Sequence, residues 1–236
     1  MQFEFQLESA PLIKRYKRFL TDIHRPDGST MTIHCPNTGS MRNCLDDVKQ
    51  VWYWDSGNDK RKYPHTLELI ETNSGDFIGV NTGRANALVK EALQEKMFPE
   101  LDHDSFRSEV KYGQENSRID FLLEKAGNNI WVEVKSVTLL EPDHGHGRGF
   151  FPDAVSSRGT KHLRELAEQA QQGDRAILLF CVQHTGIQSV SVADHIDPTY
   201  AQAFSDALSA GVEVIALGAD ITTSAIQLNR SVDVVL

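Results

Sequence analysis

The segment Arg118-Ile119-Asp120-Phe121-Leu122-Leu123, followed after a short turn by Ile130-Trp131-Val132-Glu133-Val134-Lys135, decides how the second half of the chain folds. Both runs are apolar and rich in β-branched or aromatic residues, and the residues at 127–129 predict a hairpin turn between them. Side chains alternate between the two faces of a strand. Glu133 and Lys135 therefore share one face, and Asp120 can lie beside Glu133 on the neighbouring strand.

Charged residues inside a core sheet are costly unless they pair with each other or bind a metal. An ion pair of Lys135 with Glu133 or Asp120 is the simpler interpretation. The full pattern of two carboxylates and a lysine across a hairpin favours a site for Mg²⁺ or Mn²⁺, which prefer hard oxygen ligands. Asp120, Glu133 and the Val134 carbonyl would then bind the ion, and Lys135 would orient water or stabilise charge. Glu91, on a preceding predicted helix, is a fourth candidate catalytic residue.

Glu109 is the alternative to Glu91 as the fourth candidate catalytic residue. Glu109 lies on the strand predicted just before Asp120. An exposed surface position is the alternative for Glu91, because its helix is strongly charged.

Residues 1–83 show the pattern of a small all-β domain. Short apolar runs are separated by turn-forming Pro, Asn, Asp and Gly residues. The predicted strands are 12–24, 30–35, 48–54, 66–72 and 77–81. Five short strands in this length favour a five-stranded OB-fold barrel, and an SH3-like barrel is the alternative that the pattern leaves open.

Residues 84–236 change to a mixed pattern. Apolar residues recur at helical spacing over 85–96, and the continuous apolar run 176–182 predicts a strand buried on both faces. The other predicted elements are strands 106–112, 118–124, 130–140, 188–193, 212–217 and 231–236, and helices 157–172 and 199–210. This order predicts a three-layer α/β domain with a mixed sheet, and an α+β protein overall.

Two groups of cationic residues are candidate nucleic-acid contacts. Arg158, Lys161 and His162 can share a face at the start of a predicted helix, where free N–H groups favour an anion such as phosphate. In the other group, cations flank an aromatic ring that could stack on a base. That group consists of Lys14, Arg15, Tyr16, Lys17 and Arg18. Solvated surface charge is the alternative for both groups.

The segment His144-Gly145-His146-Gly147-Arg148-Gly149 predicts a flexible exposed loop within a longer loop over 141–155. Two histidines two residues apart could bind a transition metal, and the glycines suit a flap that closes over a substrate. The segment lacks the lysine and the spacing of a P-loop. Its role stays open at this point.

The composition is that of an ordinary globular protein, with 40% hydrophobic and 24% charged residues in 236. Much of the net charge of −9 lies in residues 194–236, so it does not exclude a nucleic-acid partner. The sequence shows neither a signal peptide nor an apolar run long enough to cross a membrane, which predicts a cytoplasmic protein without a membrane partner. The cysteines lack metal spacing and are expected as reduced thiols at Cys35, Cys44 and Cys181.

Four motifs are together specific. They are His34-Cys35-Pro36-Asn37-Thr38-Gly39-Ser40-Met41, Val80-Asn81-Thr82-Gly83-Arg84-Ala85-Asn86, Glu133-Val134-Lys135-Ser136-Val137-Thr138-Leu139, and Phe151-Pro152-Asp153-Ala154-Val155-Ser156-Ser157-Arg158-Gly159-Thr160-Lys161-His162-Leu163. Through them the chain resembles, over nearly its whole length, the sugar fermentation stimulation protein A family of bacteria and archaea.

The resemblance implies an N-terminal OB-fold and a C-terminal domain similar to the PD-(D/E)xK nucleases. It also implies non-specific DNA binding and a regulatory link to maltose metabolism. Asp120, Glu133 and Lys135 then take the acid, acid and lysine positions of the nuclease motif, and Glu91 takes that of the helical acid. Ile119 stands where many such nucleases carry a proline, a position that varies among them.

These observations predict a DNA-binding protein with an Mg²⁺-dependent phosphodiesterase (nuclease) site. The alternative is a catalytically silent DNA-binding regulator of sugar metabolism genes, in which the acidic residues are structural. A sensor of a small molecule is a third hypothesis. Nuclease-like folds of this kind often dimerise to cut two strands, so a homodimer is an option that the sequence leaves open.

Overall fold

A computed structural model of the chain describes residues 1–113 and 117–236. Two sheets organise these residues, one in each half of the chain. No helix among the described residues is long and apolar enough to cross a membrane. Cys35, Cys44 and Cys181 are buried and carry free thiols, and burial raises the pKa of Cys44 and Cys181 to about 12.

The N-terminal sheet is built from seven short strands, with the order β1-β5-β6-β4-β3-β2 and with β7 paired to β6. Contact between β2 and β5 brings the ends of the sheet together as a barrel. The strands are β1 (Glu8–Ala10), β2 (Leu12–Tyr16), β3 (Leu20–His24), β4 (Thr30–His34), β5 (Val48–Asp55), β6 (His65–Thr72) and β7 (Phe77–Gly79). Buried apolar side chains from these strands fill its interior.

One predicted strand of the barrel is wrong. The segment 12–24 forms a hairpin of β2 and β3 instead of a single strand, with Tyr16 paired to Leu20. The turn depends on Lys17 and Arg18, whose φ angles of 49° and 64° are left-handed. Neither residue is a glycine or an asparagine, the usual signals of such a turn, so the sequence pattern does not predict it.

The C-terminal domain is a mixed sheet of nine strands in the order β11-β12-β14-β16-β15-β13-β10-β9-β8, counted over the described residues. Its strands are β8 (Ser105–Tyr112), β9 (Ser117–Lys125), β10 (Asn128–Val137), β11 (Leu139–Leu140), β12 (Arg148–Phe151), β13 (Arg175–Val182), β14 (Ser189–Val192), β15 (Glu213–Ile221) and β16 (Ile226–Val235). Its helices are α1 (Arg84–Gln94), α2 (Ser157–Gln171) and α3 (Pro198–Ser209).

Helices cover both faces of this sheet, which confirms the predicted three-layer α/β arrangement. On one face α1 packs in a core with Val132, Val134 and Leu179. On the other face α2 and α3 pack together over Leu178 and Phe180. The strand β13 is buried on both faces, as its continuous apolar sequence predicted. Burial of these apolar faces is the main source of stability, at about 25 cal/mol per Å² removed from water.

The segment predicted as the 141–155 loop contains an additional strand. Arg148–Phe151 forms β12, which pairs with β11 on one side and β14 on the other. Gly149 explains why the strand was missed, because glycine weakens a strand pattern. Here a Cβ at Gly149 would lie 2.6 Å from Ile187 Cδ1, so the close packing of β12 requires a glycine.

The two domains are joined by backbone hydrogen bonds between strand edges. Gly79 N–H donates to Gln183 O at 2.8 Å, and Thr185 N–H donates to Phe77 O at 3.0 Å. Ile78 and His184 form an isolated antiparallel bridge at the same place. The junction therefore fixes the barrel against the C-terminal end of β13, next to the predicted metal site.

Candidate metal and phosphate site

Asp120 is half-buried on β9 and held from two directions. Asn86 on α1 donates to Asp120 Oδ1 at 2.8 Å, and the Val134 backbone N–H donates to Oδ2 at 2.7 Å. The β9–β10 register runs only as far as the pair Val132–Phe121. Beyond this pair the two backbones are no longer paired, and the Asp120 carboxylate, instead of a backbone carbonyl of β9, accepts from the Val134 N–H.

Glu133 is buried at 2% exposure in the middle of β10. Its Oε1 accepts a hydrogen bond from Lys135 Nζ at 2.6 Å and contacts His162 Nδ1. Its Oε2 has no hydrogen-bond partner among the described residues. A buried oxygen with unused lone pairs costs roughly 1–3 kcal/mol, and such an atom within a site indicates a missing ligand.

The two carboxyl groups differ in electrostatics. Burial and the nearby charge of Glu133 raise the pKa of Asp120. Burial opposes ionisation of Glu133 as well, but the hydrogen bond from His162 and the charge of Lys135 outweigh it and lower the pKa of Glu133. Glu133 therefore ionises more readily than Asp120 does. A further cation in the site would lower the pKa of Asp120.

His162 acquires a role different from the predicted phosphate contact. It is buried on α2 and faces Glu133, so it is no free surface cation. Arg158 Nε lies 3.4 Å from His162 Nε2 and donates to it. With Arg158 donating to Nε2, the other ring nitrogen, Nδ1, faces Glu133. His162 positions the carboxylate, a role that helical spacing alone does not reveal.

The structure does not bring Glu91 to this site. Its carboxylate lies 2.6 Å from the amino group of Met1, in an ion pair on a different face of α1. The helix residue that reaches Asp120 is Asn86. Five residues of helix separate the two side chains by about 140°, at 3.6 residues per turn, so both cannot face Asp120.

Glu109, the rival candidate, does lie beside the site. It lies on β8 between Ser108 and Val110, whose partners on β9 flank Asp120, and both acids line a cavity of about 360 Å³ with Arg158 and Lys161. Its φ angle of 56° is left-handed, which is uncommon for a glutamate within a strand. Strained backbone of this kind clusters at functional sites, so the structure favours Glu109 over Glu91 as a further acid.

The start of α2 presents cations to the same cavity. Ser156 is the N-cap, and its Oγ accepts from the Gly159 N–H at 3.0 Å. Arg158 is exposed, and Lys161 lines the cavity beside Asp120. The first turn of α2 contains no acidic residue of its own, although the Asp197 carboxylate accepts from the Ser156 N–H at 2.8 Å just before it.

The N-terminal cationic group divides into structural and exposed members. The guanidinium of Arg15 donates to the backbone carbonyls of Asn37 and Gly39 at 2.9 and 2.8 Å, so it holds that loop. Tyr16 is half-buried and donates to Asp22, beside which Lys14 lies at 3.9 Å.

Besides Lys14, whose side chain is also exposed, the exposed members of that group are at the hairpin tip. Lys17, Arg18 and Phe19 project from the turn into solvent. Tyr16 is not the freely stacking ring that the sequence predicted. Phe19, 42% exposed, is the aromatic side chain beside the free cations.

The two Asn-Thr-Gly sequences meet at the domain junction. In each, the asparagine Oδ1 accepts from the N–H of the glycine two residues later, at 2.8 Å for Asn37 and 3.2 Å for Asn81, which makes both of them Asx turns. Asn37 lines a cavity of about 250 Å³. That cavity shares Thr82 and Ser136 with a second one, of about 290 Å³, that contains Asp120 and Glu133. The cleft beside the acids therefore extends to the barrel.

Most of the segment His144–Gly149 is not a free flap. Arg148 and Gly149 belong to β12, and Gly147 is buried against Gln188. His144 and His146 remain exposed, although His144 is stacked on His195. The possible pair of His144 with His146, two residues apart, is replaced by a contact of His144 with His195, which is distant in sequence.

Two family models match the two halves of the chain. The family model described as "Sugar fermentation stimulation protein RE domain" matches residues 83–225, and the model "SfsA N-terminal OB domain" matches residues 13–80. The second match confirms the predicted OB-fold. The full chain is 57% identical to a sugar fermentation stimulation protein homolog of Shewanella piezotolerans, with 100% of both chains covered.

Further relatives agree. A homolog of Saccharophagus degradans is 51% identical over 236 residues, again with 100% of both chains covered. The solved structure of Pyrococcus furiosus SfsA in complex with Ca²⁺ superposes with a TM-score of 0.84 at 24% identity, covering 100% of this chain and 98% of that one. The chain belongs to the sugar fermentation stimulation protein family.

Proposed function

We propose that the protein is a DNA-binding phosphodiesterase that requires Mg²⁺ or Mn²⁺. The observation that carries the proposal is the buried, unpartnered Oε2 of Glu133 beside Asp120, in a cleft that also contains the cations of α2. The resemblance to PD-(D/E)xK nucleases, with Asp120, Glu133 and Lys135 in the motif positions, supports the same reaction class.

The residues present fit a divalent cation. Asp120 and Glu133 supply hard carboxylate oxygens of the kind that Mg²⁺ and Mn²⁺ prefer. The Val134 N–H points to Asp120, and a residue in a strand directs its N–H and C=O to the same edge, so the Val134 carbonyl also faces this side. The P. furiosus relative was solved with Ca²⁺, another divalent ion with oxygen ligands. When bound, the ion would neutralise phosphate charge and acidify water near neutral pH.

The surrounding side chains have separable roles. Asn86 and His162 position the two carboxylates. Lys135 Nζ lies 2.6 Å from Glu133, so its ammonium is held where negative charge develops during phosphodiester cleavage. Arg158 and Lys161 would bind the phosphates on either side of the cleaved bond.

The substrate proposed is DNA, bound through its backbone. The cleft passes from the acids over Thr82 and Ser136 to the loop at Asn37, which Arg15 ties to the hairpin of Lys17 and Arg18. Cations at both ends of this path suit a polyanion that spans the two domains. Contacts to the backbone carry no sequence information directly, so we propose binding that does not depend on sequence.

Cleavage of a DNA panel tests the proposal. Supercoiled, linear, single-stranded and branched DNA are incubated with the full chain and Mg²⁺ or Mn²⁺. We expect cleavage of at least one form, a fall of about 10²–10³ in rate for Lys135→Ala, and no cleavage for Glu133→Gln. EDTA should stop the reaction.

The alternative is a silent regulator of sugar metabolism, including maltose genes. One observation favours it: Lys135 and His162 already pair with Glu133 Oε1, as in a structural ion pair. Salt-dependent DNA binding by wild type, with no cleavage of any DNA form under either metal, would establish the regulator and refute the nuclease.

A further inference from the structure

Three metal-ligating side chains meet outside the site of Asp120 and Glu133. Glu141 and His144 precede β12, and His195 lies between β14 and α3. One ligand atom from each lies within 4.8 Å of the others. We propose that Glu141, His144 and His195 bind a transition-metal ion, with Zn²⁺ as the best match.

The donor set decides the class of metal. Two imidazoles and one carboxylate are typical of Zn²⁺, whereas Mg²⁺ and Ca²⁺ prefer oxygen donors alone. Three protein ligands leave one position of a tetrahedral ion for water or another small ligand. A cavity of about 370 Å³, lined by His144, His195 and Phe150, gives solvent access to that position.

The existing contacts orient His195 for metal binding. Its Nε2 lies 2.6 Å from Glu141 Oε2, and its Nδ1 lies 3.5 Å from Asp194 Oδ1. A carboxylate behind the second ring nitrogen is a common arrangement for metal-binding histidines, because it fixes the tautomer and the ring orientation. Phe150 packs edge-on against the rings of both His195 and His144.

The other two ligands differ in mobility. Glu141 is buried at 4% exposure, and Arg42 of the barrel lies 3.3 Å from its Oε1, so only Oε2 faces His195. His144 is exposed and stacks on His195 with ring centroids 4.6 Å apart. Bond lengths near 2 Å require ligand atoms about 3.3 Å apart in a tetrahedral site. The ligand atoms now lie within 4.8 Å of one another, and a small rotation of the exposed His144 ring would bring them to the tetrahedral separation.

Metal at this place would connect three parts of the molecule. Arg42 belongs to the barrel, His144 to the loop before β12, and His195 to the loop that enters α3. Asp197, two residues beyond His195, caps α3 and accepts from the Ser156 N–H at 2.8 Å, at the start of α2. The ion would therefore restrain the loop that supports the phosphate-facing end of α2.

The test is Zn²⁺ binding by the full chain. Equilibrium dialysis with metal analysis is carried out in an Asp120→Asn background with excess Mg²⁺, so that the acidic site contributes little. The variants are His144→Gln and His195→Gln. The matched control is His146→Gln, an exposed histidine of the same loop that is outside the cluster.

We expect one Zn²⁺ per chain, weakened about a hundredfold by His144→Gln and by His195→Gln and less than about twofold by His146→Gln. Zn²⁺ should raise the Tm of the background and of the control, and not that of the two ligand variants. Co²⁺ should give the intense visible absorption of a tetrahedral site only where Zn²⁺ binds tightly.

Three outcomes would overturn the proposal. The first is that Zn²⁺ fails to bind at micromolar concentration. The second is that Zn²⁺ affinity is unchanged in His195→Gln, and the third is that His146→Gln loses as much affinity as His144→Gln. The last result would place the metal on the exposed loop alone. Melting without Zn²⁺ shows whether each variant folds, and His144 is exposed enough that its replacement leaves the core intact.

Discussion

His162 Nδ1 contacts Glu133 Oε1, which joins the second turn of α2 to the centre of the core strand β10. The contact holds a buried carboxylate whose other oxygen is unpartnered within the described residues. It also makes α2 part of the acidic site.

His162 should stabilise the fold through this contact. His162→Leu removes the donor and leaves the buried Glu133 anion with Lys135 alone, so we expect the free energy of unfolding to fall by roughly 2–3 kcal/mol. His162→Asn retains an N–H near the position of Nδ1 and should lose less than about half of that. Urea unfolding of both variants measures the difference, and equal losses would show that the effect is only one of packing.

The acid nearest the site can be identified by a pair of variants. Glu109→Gln should weaken Mn²⁺ binding and slow DNA cleavage, because Glu109 shares a cavity with Asp120. Glu91→Gln should leave both unchanged, because its carboxylate pairs with the amino group of Met1. Cleavage rates over a range of Mn²⁺ concentrations distinguish the two. A larger loss in Glu91→Gln would restore the helical acid of the nuclease motif.

His184 should make stability fall in mild acid. Burial lowers the pKa of His184 from the ordinary 6.5 to about 4, and its Nδ1 accepts from the Gly186 N–H at 3.1 Å. Below pH 6.5 the unfolded chain takes up a proton that the folded chain refuses until about pH 4, so stability is fully present above 6.5 and decreases between these values.

The expected loss is up to about 3 kcal/mol, at 1.36 kcal/mol per pKa unit. Unfolding in urea at a series of pH values measures it. His184→Gln should flatten the profile in that window, and an unchanged profile would mean that other groups cause the acid sensitivity.

The cations near the N-terminus should differ in role: Arg15 should stabilise the fold, whereas Lys17 and Arg18 should contribute to DNA binding. Arg15→Lys cannot span the carbonyls of Asn37 and Gly39, so it should lower stability by about 1–2 kcal/mol. Lys17→Ala and Arg18→Ala should leave stability unchanged and weaken DNA binding, each reducing the slope of log K against log salt by about 1. Binding titrations at several salt concentrations test this, and an unchanged slope would remove the hairpin tip from the DNA surface.

The sequence predicted elements wherever the local pattern was strong. The apolar run of β13, the helical spacing of α1 and the hairpin of β9 and β10 all formed as expected. It failed where the conformation depends on distant packing. The turn at Lys17 and Arg18 and the glycine-containing strand β12 have no local signal of their own.

The same distinction holds for the site. Side chain alternation placed Glu133 and Lys135 on one face, and the hairpin placed Asp120 beside them. The choice among Glu91, Asn86 and Glu109 depended on how α1 and β8 are oriented against β9, which helical periodicity does not specify. The pairing of His144 with His195 joins residues far apart in sequence and could not be predicted from the spacing of His144 and His146.

The proposed reaction requires a divalent metal ion bound by Asp120 and Glu133. Anomalous diffraction from crystals of the full chain soaked in Mn²⁺ shows whether the ion binds there. We expect a manganese peak between Asp120 and Glu133 Oε2 on the side of the Val134 carbonyl, absent in Glu133→Gln crystals. An empty site, with Lys135 and His162 still bound to Glu133 and DNA binding intact, would contradict it.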